Sequence, residues 1–270
     1  MTTDYSGGGD VSKSLELLWG MQQRPTRGPR PGLTLERIVE AAVAVADAEG
    51  LTALSMRRVA AHLGVGTMSL YRYVPGKAEL LDLMLDHVAG PVDDVIEDDA
   101  AADAVGWRAA LEEMARGIWQ MCLDHPWYPQ VDQVRPLLGP NNIAGMDRLL
   151  RRLKPTGLSD QQLVLMVSVV DGFVTAVARS QVNSLQAEQR TGITEEEFWA
   201  AQEPVLVKMM ESGRFPTLAK LHEHTFTFSY EDVFEFGLKV VLDGLAVVVA
   251  TGGKAMPGYL AARADEPHCE

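Results

Sequence analysis

The chain is poor in cysteine and lacks the short motifs that mark the commonest enzyme classes. Its 270 residues include two cysteines, Cys122 and Cys269, which are too far apart in sequence to form a metal-binding pattern. The sequence holds no phosphate-binding glycine loop, no GxSxG nucleophile motif and no HExxH zinc motif. We therefore predict that the protein is not an enzyme and has no metal site and no cofactor.

Long apolar runs are also missing. A membrane-spanning helix needs roughly 18 consecutive apolar residues, and the two best candidates, at 163–178 and 240–250, are shorter and are interrupted or bordered by Asp171 and Asp243. Residues 1–10 are polar and rich in glycine, unlike a signal peptide. We expect no contact with a membrane and a location in the reducing cytoplasm.

Positive charge is scarce over the whole chain but concentrated near its beginning. The formal net charge is −13, which argues against a protein that coats nucleic acid. Residues 21–77 nevertheless carry eight Lys or Arg and four Asp or Glu, so this part is basic and the remainder acidic. Such a distribution is typical of a protein that touches DNA at one end.

Residues 51–80 predict two short helices separated by a tight turn. Ser55 suits the cap of the first helix, and Leu54 precedes it as the apolar residue of a hydrophobic staple. Gly64 ends that helix, and Leu70 and Val74 face inward on the second helix, one turn apart. The remaining side chains of the second helix are polar or aromatic, as a helix in the major groove requires: Thr67, Met68, Ser69, Tyr71, Arg72 and Tyr73.

The run LGVGTMSLYRYVPGKAELL resembles the helix-turn-helix signature of TetR-type transcriptional regulators. It has the Gly-Val corner, the Leu-Tyr pair, an aromatic residue two positions later and a lysine at the start of the next helix, and the similarity extends from about Leu33 to Leu85. The resemblance implies binding to double-stranded operator DNA. We predict base contacts from Arg57 and Arg72 and phosphate contacts from Ser55, Tyr71, Tyr73 and Lys77. A three-helix packing unit without a role in DNA binding is the alternative.

Periodicity after residue 91 is helical throughout, without the alternation of a strand. Three segments resemble the carboxy-terminal domain of the tetracycline-repressor branch of that family: HPWYPQVDQVRPLLGPNN, Gly157–Ser159 and the stretch 236–245. The resemblance implies an all-α protein: an N-terminal three-helix DNA-binding domain at 33–90 and a larger helical ligand-binding and dimerisation domain at 91–252. A flexible arm at 1–32 and a tail at 253–270 complete the predicted organisation. Arginines at 24–30 suit either a DNA-contacting arm or a plain linker.

The segments 159–186 and 230–251 are apolar over most of their circumference. A helix of that kind needs partners on more than one side, and a second copy of the chain supplies them. We expect Leu245 in the middle of the dimer seam, although a monomeric core would also explain the pattern. Small residues that would allow a close approach of the helices are Gly172, Ala176, Gly237, Gly244 and Ala246.

For the ligand, the resemblance and the apolar helices predict a small hydrophobic molecule such as an antibiotic or metabolite. A pocket for it needs apolar walls and a few polar anchors. The chain also has a close histidine cluster at 222–224, for which a solvated loop is the main interpretation and a metal that accompanies the ligand is the alternative. Plausible wall residues, each also compatible with an ordinary core, are Met114, Trp119, Phe173, Val177, Gln181 and Trp199.

Together these features predict a homodimeric, ligand-responsive transcriptional regulator that acts as a repressor. A small hydrophobic ligand is expected to release it from a palindromic operator. The alternative is a small-molecule binding protein whose DNA-binding domain has lost its role.

Overall fold

The computed structural model describes residues 4–21, 32–90, 106–222 and 224–254, and these are built of α-helices. The prediction of an all-α protein is confirmed. Within the described ranges, β-structure is limited to an isolated bridge between Tyr5 and Asp132. The predicted arginine arm at 24–30, the acidic segment after residue 91 and most of the tail lie outside the described residues.

The N-terminal third of the chain forms the predicted helix-turn-helix unit, here called the head. Its helices are α2 (Leu35–Glu49), α3 (Met56–His62), α4 (Thr67–Leu70) and α5 (Lys77–Val88), preceded by α1 (Val11–Leu18).

The expected caps and corners of the head are present. Ser55 and Thr34 each accept a hydrogen bond at 3.2 Å from the backbone N–H three residues later, which satisfies a donor that the helix leaves unpaired. Gly64 has a φ of +65° at the corner between α3 and α4, a value that glycine adopts without strain. Leu70 and Val74 are fully buried, as predicted for the inward-facing residues. The second helix is shorter than predicted, because α4 ends at Leu70 and Val74 lies beyond the turn that follows it.

The second half forms a larger helical unit, here called the body. Its helices are α6 (Trp107–Asp124), α7 (Pro140–Leu153), α8 (Asp160–Thr191), α9 (Glu195–Glu211) and α10 (Tyr230–Ala250). Ser159 begins α8 with a complete capping box, in which its side chain and that of Gln162 bond each other's backbone N–H groups. The helix continues to Thr191 and ends at Gly192, which adopts a left-handed conformation.

Each half has its own apolar core. In the body, α6, α8 and α10 pack on one another, and the interior includes Leu111, Met166 and Phe234. The core of the head is centred on Ile38 and Leu80, and it also contains Trp127 and Val131 from the body. Residues of the body therefore complete the core of the head.

By length and composition α8 is able to cross a membrane. The same criteria are met by the core helix of a soluble protein, and α8 buries Leu163, Val167, Val170 and Val174 inside the body. Only 39% of the most apolar 18-residue stretch of α8 is buried within the single chain. Much of its apolar surface is therefore uncovered.

The expectation of a flexible arm at 1–32 fails for its described part. Residues 4–21 lie against α5, where Ser14 and Leu17 of α1 are buried. The physical reason is hydrogen bonding: the buried carboxylate of Asp82 accepts bonds from Ser14 Oγ at 2.7 Å and from the N–H of Gly7 at 2.9 Å. A segment held by such bonds loses the freedom of a linker.

Candidate DNA-binding surface and ligand domain

The outer surface of α3 and α4 carries most of the predicted DNA contacts. Met68 and Tyr71 are 76% and 45% exposed, and Thr67 and Ser69 are half-buried beside them. Arg57 and Arg72 are exposed, and within the described residues neither guanidinium bonds a protein group. Exposed arginines in and just after the helices of a helix-turn-helix are able to form paired hydrogen bonds with guanine in the major groove.

The neighbouring arginine is engaged with the protein instead. The single Nε–H of Arg58 is shared between the two carboxylate oxygens of Glu49, at 2.9 and 3.0 Å, and Nη2 donates to the same carboxylate. This hydrogen bonding is the main reason why the pKa of Glu49 is lowered. Of the two adjacent arginines, Arg57 is therefore the one available to DNA.

Three of the predicted phosphate contacts already have partners within the chain. Tyr73 donates its hydroxyl proton to the carbonyl of Leu33 at 3.0 Å. Lys77 points its Nζ at a carboxylate oxygen of Asp4, 3.2 Å away. Ser55 uses its oxygen as the helix cap and keeps its hydroxyl proton for a further acceptor. The roles of Tyr73 and Lys77 therefore depend on displacing a bond that the chain makes to itself.

Four of the predicted ligand-wall residues pack against the core of the body. Met114, Trp119, Phe173 and Val177 are half-buried and pack against its core, and Gln181 follows Val177 by one helical turn on α8. The indole of Trp119 stacks on the ring of Phe234, with 4.7 Å between the ring centroids.

Trp199 does not join them. It lies on α9, where it is 54% exposed and contacts the ring of Phe198, with centroids 5.4 Å apart. The reason is that α9 buries no residue within the single chain, so its apolar side chains find no core there.

Two other expectations need correction. Gly237 was expected at the seam between subunits, but a Cβ at this position would lie 2.3 Å from the ring of Phe173 of the same chain. Leu245 is 8% exposed in the core of the body. Both residues serve the packing of α10 on α8, because one face of α10 is needed to complete the core.

A polar group that sequence reasoning missed lies between the end of α6, the turn Tyr128–Gln130 and α8. Burial raises the pKa of the Cys122 thiol and of the Tyr128 phenol to about 12 each, and the negative charge of Asp171 adds to both shifts. Burial also raises the pKa of Asp171, although its side chain retains access to solvent. The only sequence signal was an acid within an apolar run.

An open groove of different character runs between α6 and α10. Its floor is formed by Leu238 and Leu242, and its rims are joined by ion pairs such as Arg108 with Asp243 at 2.8 Å. These charges are exposed and neutralise one another, so the groove lacks the apolar walls predicted for the ligand.

The head and the body are also joined through a helix cap. Gly139 precedes α7 without a capping side chain, and the carboxylate of Asp86 on α5 takes that place by accepting from the N–H of Asn142 at 3.0 Å and from its Nδ2 at 2.9 Å. A Cβ on Gly139 would fall 2.3 Å from that carboxylate. These bonds attach α7 of the body to α5 of the head.

In a comparison with known proteins, the head and the body each match a TetR-type sequence model. Residues 38–84 match the sequence model described as "Bacterial regulatory proteins, tetR family", and residues 101–249 match "Tetracyclin repressor-like, C-terminal domain". The chain is 55% identical over 249 residues to the HTH-type transcriptional repressor DrrR1 of Streptomyces coeruleorubidus, covering 92% of this chain and 90% of that protein.

Solved structures agree with these matches. Apo ActR of Streptomyces coelicolor is 32% identical, with a TM-score of 0.63 over 84% of this chain and 100% of that one. ActR in complex with actinorhodin is 30% identical, with a TM-score of 0.59 and the same shares covered. DrrR1 is named a transcriptional repressor, and ActR is described as a TetR family protein.

Proposed function

The chain belongs to the TetR family of bacterial transcriptional regulators, and from that premise we propose that it is a homodimeric repressor which a small hydrophobic ligand releases from a palindromic operator. The observation that carries the proposal is the surface of α3 and α4, where Arg57 and Arg72 stand exposed beside the polar residues of a helix-turn-helix. The 55% identity to a named repressor supports repression rather than activation of transcription.

The proposed DNA interface divides into base and phosphate contacts. Arg57 and Arg72 read bases, and Tyr71 and Ser55 hold phosphates from an exposed surface. Tyr73 and Lys77 join them once their internal bonds are exchanged for phosphate oxygens. The segment 67–69 lines the same surface, where the exposed Met68 is suited to an apolar contact with a thymine methyl group.

The proposed ligand binds in the body, along the face shared by α6 and α8. Met114, Trp119, Phe173 and Val177 supply apolar walls and Gln181 an amide. The bound actinorhodin in the ActR structure shows that a relative of this fold accommodates a small molecule. A ligand there alters DNA binding only if it prefers one arrangement of the heads over the other.

The proposed dimer uses the apolar surface that a single chain leaves uncovered. On α10, Phe236, Val240 and Val247 are 72%, 53% and 56% exposed and follow one another at helical spacing on the face opposite the core. Gly244 lies in the same stripe and has open space in front of it. Gly172, on α8, also has open space in front of it. The apolar side chains of α9 are also left uncovered in the single chain. A second copy that covers this apolar surface places two heads for two half-sites of a palindrome.

Within this proposal the DNA-binding domain spans 33–90 and the ligand-binding and dimerisation domain 91–252. The protein acts in the cytoplasm, where its operator is, and it needs neither a catalytic group nor a metal.

DNA binding by the full chain tests the proposal. Fluorescence anisotropy compares DNA that flanks the gene of the protein itself with a scrambled duplex at several salt concentrations. We expect a specificity ratio of at least about 1,000 and a preference that Arg72→Ala weakens by about 1–3 kcal/mol at one base pair of each half-site. Equal affinity for the two duplexes would favour the alternative function, a small-molecule binding protein with an inactive head.

The ligand response has its own test. Calorimetric titration with actinorhodin as the first probe, with and without operator, measures the coupling between the two sites. If ligand and operator oppose each other, operator must weaken ligand binding by the same factor by which ligand weakens operator binding. A ligand that binds with the same affinity in both titrations does not act by release.

A further inference from the structure

The segment 4–21 contacts both the head and the body. It precedes the matched range 38–84, and it touches the first residue of α5, the buried side of α5 and the body segment 131–138. These contacts link the ligand-binding half of the chain to a lysine that the proposed function assigns to DNA.

The contact with the body is made by backbone groups near Ser6 and by the side chain of Trp19. The N–H of Ser6 donates to the carbonyl of Asp132 at 2.9 Å, and the N–H of Asp132 donates to the carbonyl of Asp4 at 3.1 Å. The indole of Trp19, just past α1, donates to the carbonyl of Leu138 at 3.0 Å. Both ends of the segment are therefore attached to the loop that leads from α6 to α7.

The contact with α5 is made by buried carboxylates. Asp82 is 2% exposed and Glu79 is 7% exposed, and Glu79 accepts a hydrogen bond from the N–H of Asp10 at 3.0 Å. A Cβ on Gly9 would lie 2.3 Å from the same carboxylate of Glu79. The chain fits this closely because glycine occupies that position. A carboxylate so deeply buried depends on these donors for its stability.

The contact with the DNA-binding surface is an ion pair. Asp4 lies 3.2 Å from the Nζ of Lys77, and both side chains are about one-third exposed, at 33% and 34%. The same Nζ donates to the carbonyl of Leu51 at 3.3 Å. A carboxylate in this position occupies the amine in the way that a phosphate oxygen would.

We propose that residues 4–21 form an inhibitory strap in which Asp4 occupies the amine of Lys77 until an operator phosphate displaces it, so that the body segment 131–138 controls access to this DNA contact. The inference rests on the proposed function, because it needs Lys77 at the phosphate backbone. Movement of 131–138 carries Asp4 with it through the two backbone hydrogen bonds. A change in the body thereby strengthens or weakens the competition for Lys77.

Charge-neutral variants test the competition in the full-length protein. We expect Asp4→Asn to raise operator affinity by about two- to five-fold per head, the range of a partly exposed ion pair. The slope of log K against log[salt] should become steeper, because in the wild type the gain from neutralising a phosphate with Lys77 is partly offset by the loss of the ion pair with Asp4. Glu16→Gln is the matched control. It also removes one negative charge from the segment 4–21, but the carboxylate of Glu16 pairs with Lys13, at 2.8 Å, and not with Lys77.

A double-mutant cycle separates a specific effect from a general change of charge. In the Lys77→Met background, Asp4→Asn should leave operator affinity and salt slope unchanged. An increase of equal size in that background, or an equal increase from Glu16→Gln, would overturn the strap while leaving the repressor proposal intact.

Amide hydrogen exchange tests the strap without relying on affinity. Ser6 and Asp132 donate the two backbone bonds between strap and body, so their exchange should accelerate in Lys77→Met and also when operator is added to the wild type. Unchanged exchange in Lys77→Met would overturn the inference even for a protein that binds DNA. Absence of any sequence-specific DNA binding would instead overturn the proposed function and the inference with it.

Discussion

The indole Nε1 of Trp127 donates a 2.7 Å hydrogen bond to the carboxylate of Asp47, in the last turn of α2. Trp127 belongs to the body but is 2% exposed within the core of the head. His125 approaches the same carboxylate through Nδ1 at 2.9 Å. Together with the cap that Asp86 provides for α7, this bond fixes the body to the head on both α2 and α5.

Removing the carboxylate of Asp47 should lower the stability of the whole protein, because this group joins the head to the body. Asp47→Ala leaves the buried indole N–H of Trp127 without an acceptor, and we expect a loss of about 1–3 kcal/mol in the free energy of unfolding, measured by urea denaturation. The control is Asp147→Ala, which removes an exposed ion pair with Arg151 and should change stability by less than about 1 kcal/mol. In a Trp127→Phe background the effect of Asp47→Ala should shrink; an undiminished effect would show that the indole is not its partner.

The two adjacent arginines of α3 should differ in their effect on specificity. Arg57→Ala removes an exposed guanidinium and should reduce discrimination at one base pair by about 1–3 kcal/mol. Arg58→Ala removes a side chain bonded to Glu49, so sequence preference should stay the same. Anisotropy titrations with single-base operator variants measure both. Loss of preference in Arg58→Ala alone would reverse the assignment.

Charges placed on the two faces of α10 should have separable effects. Val240→Glu adds a charge on the exposed stripe, so the chain should keep its helical circular dichroism but sediment as a monomer, because a carboxylate in the seam would be unpaired. Leu245→Glu buries the charge in the core of the body, where Leu245 is 8% exposed, and should unfold that domain. A Val240→Glu dimer as tight as the wild type would place the seam elsewhere, and a monomeric wild type at micromolar concentration would remove the dimer from the proposal.

Asp171 should make stability fall as the pH rises. Burial raises the folded-state pKa of this carboxyl above its ordinary value of 3.8, so ionisation disfavours the folded state once the pH exceeds that value. We expect Asp171→Asn to match the wild-type Tm below pH 3.8 and to exceed it at neutral pH. Asp243→Asn serves as the opposite control, since a hydrogen bond from Lys239 is the main cause of the lowered pKa of Asp243, which stabilises the ionised form. Equal Tm values for Asp171→Asn and wild type at all pH values would show that desolvation of Asp171 does not affect folding.

The sequence by itself determined the elements whose signals are local. Ser55, Thr34 and Ser159 are short polar side chains directly before an apolar helical pattern, and all three cap their helices. Gly64 marks the corner because few other residues adopt its backbone conformation. The family assignment followed from the same run of residues, since a helix-turn-helix is encoded within about twenty positions.

Only the tertiary structure decided which face of a helix meets which neighbour. The composition of α10 showed that it is apolar on more than one side, but it could not assign Leu245 to the core and Val240 to the surface. Nor could it place Gly237 against Phe173, because that choice depends on the orientation of α8. The sequence likewise favoured a loose arm before residue 33. Glu79, Asp82 and Lys77 bind residues about 70 positions earlier in the chain, and contacts between such distant residues form only when the folded chain brings them together.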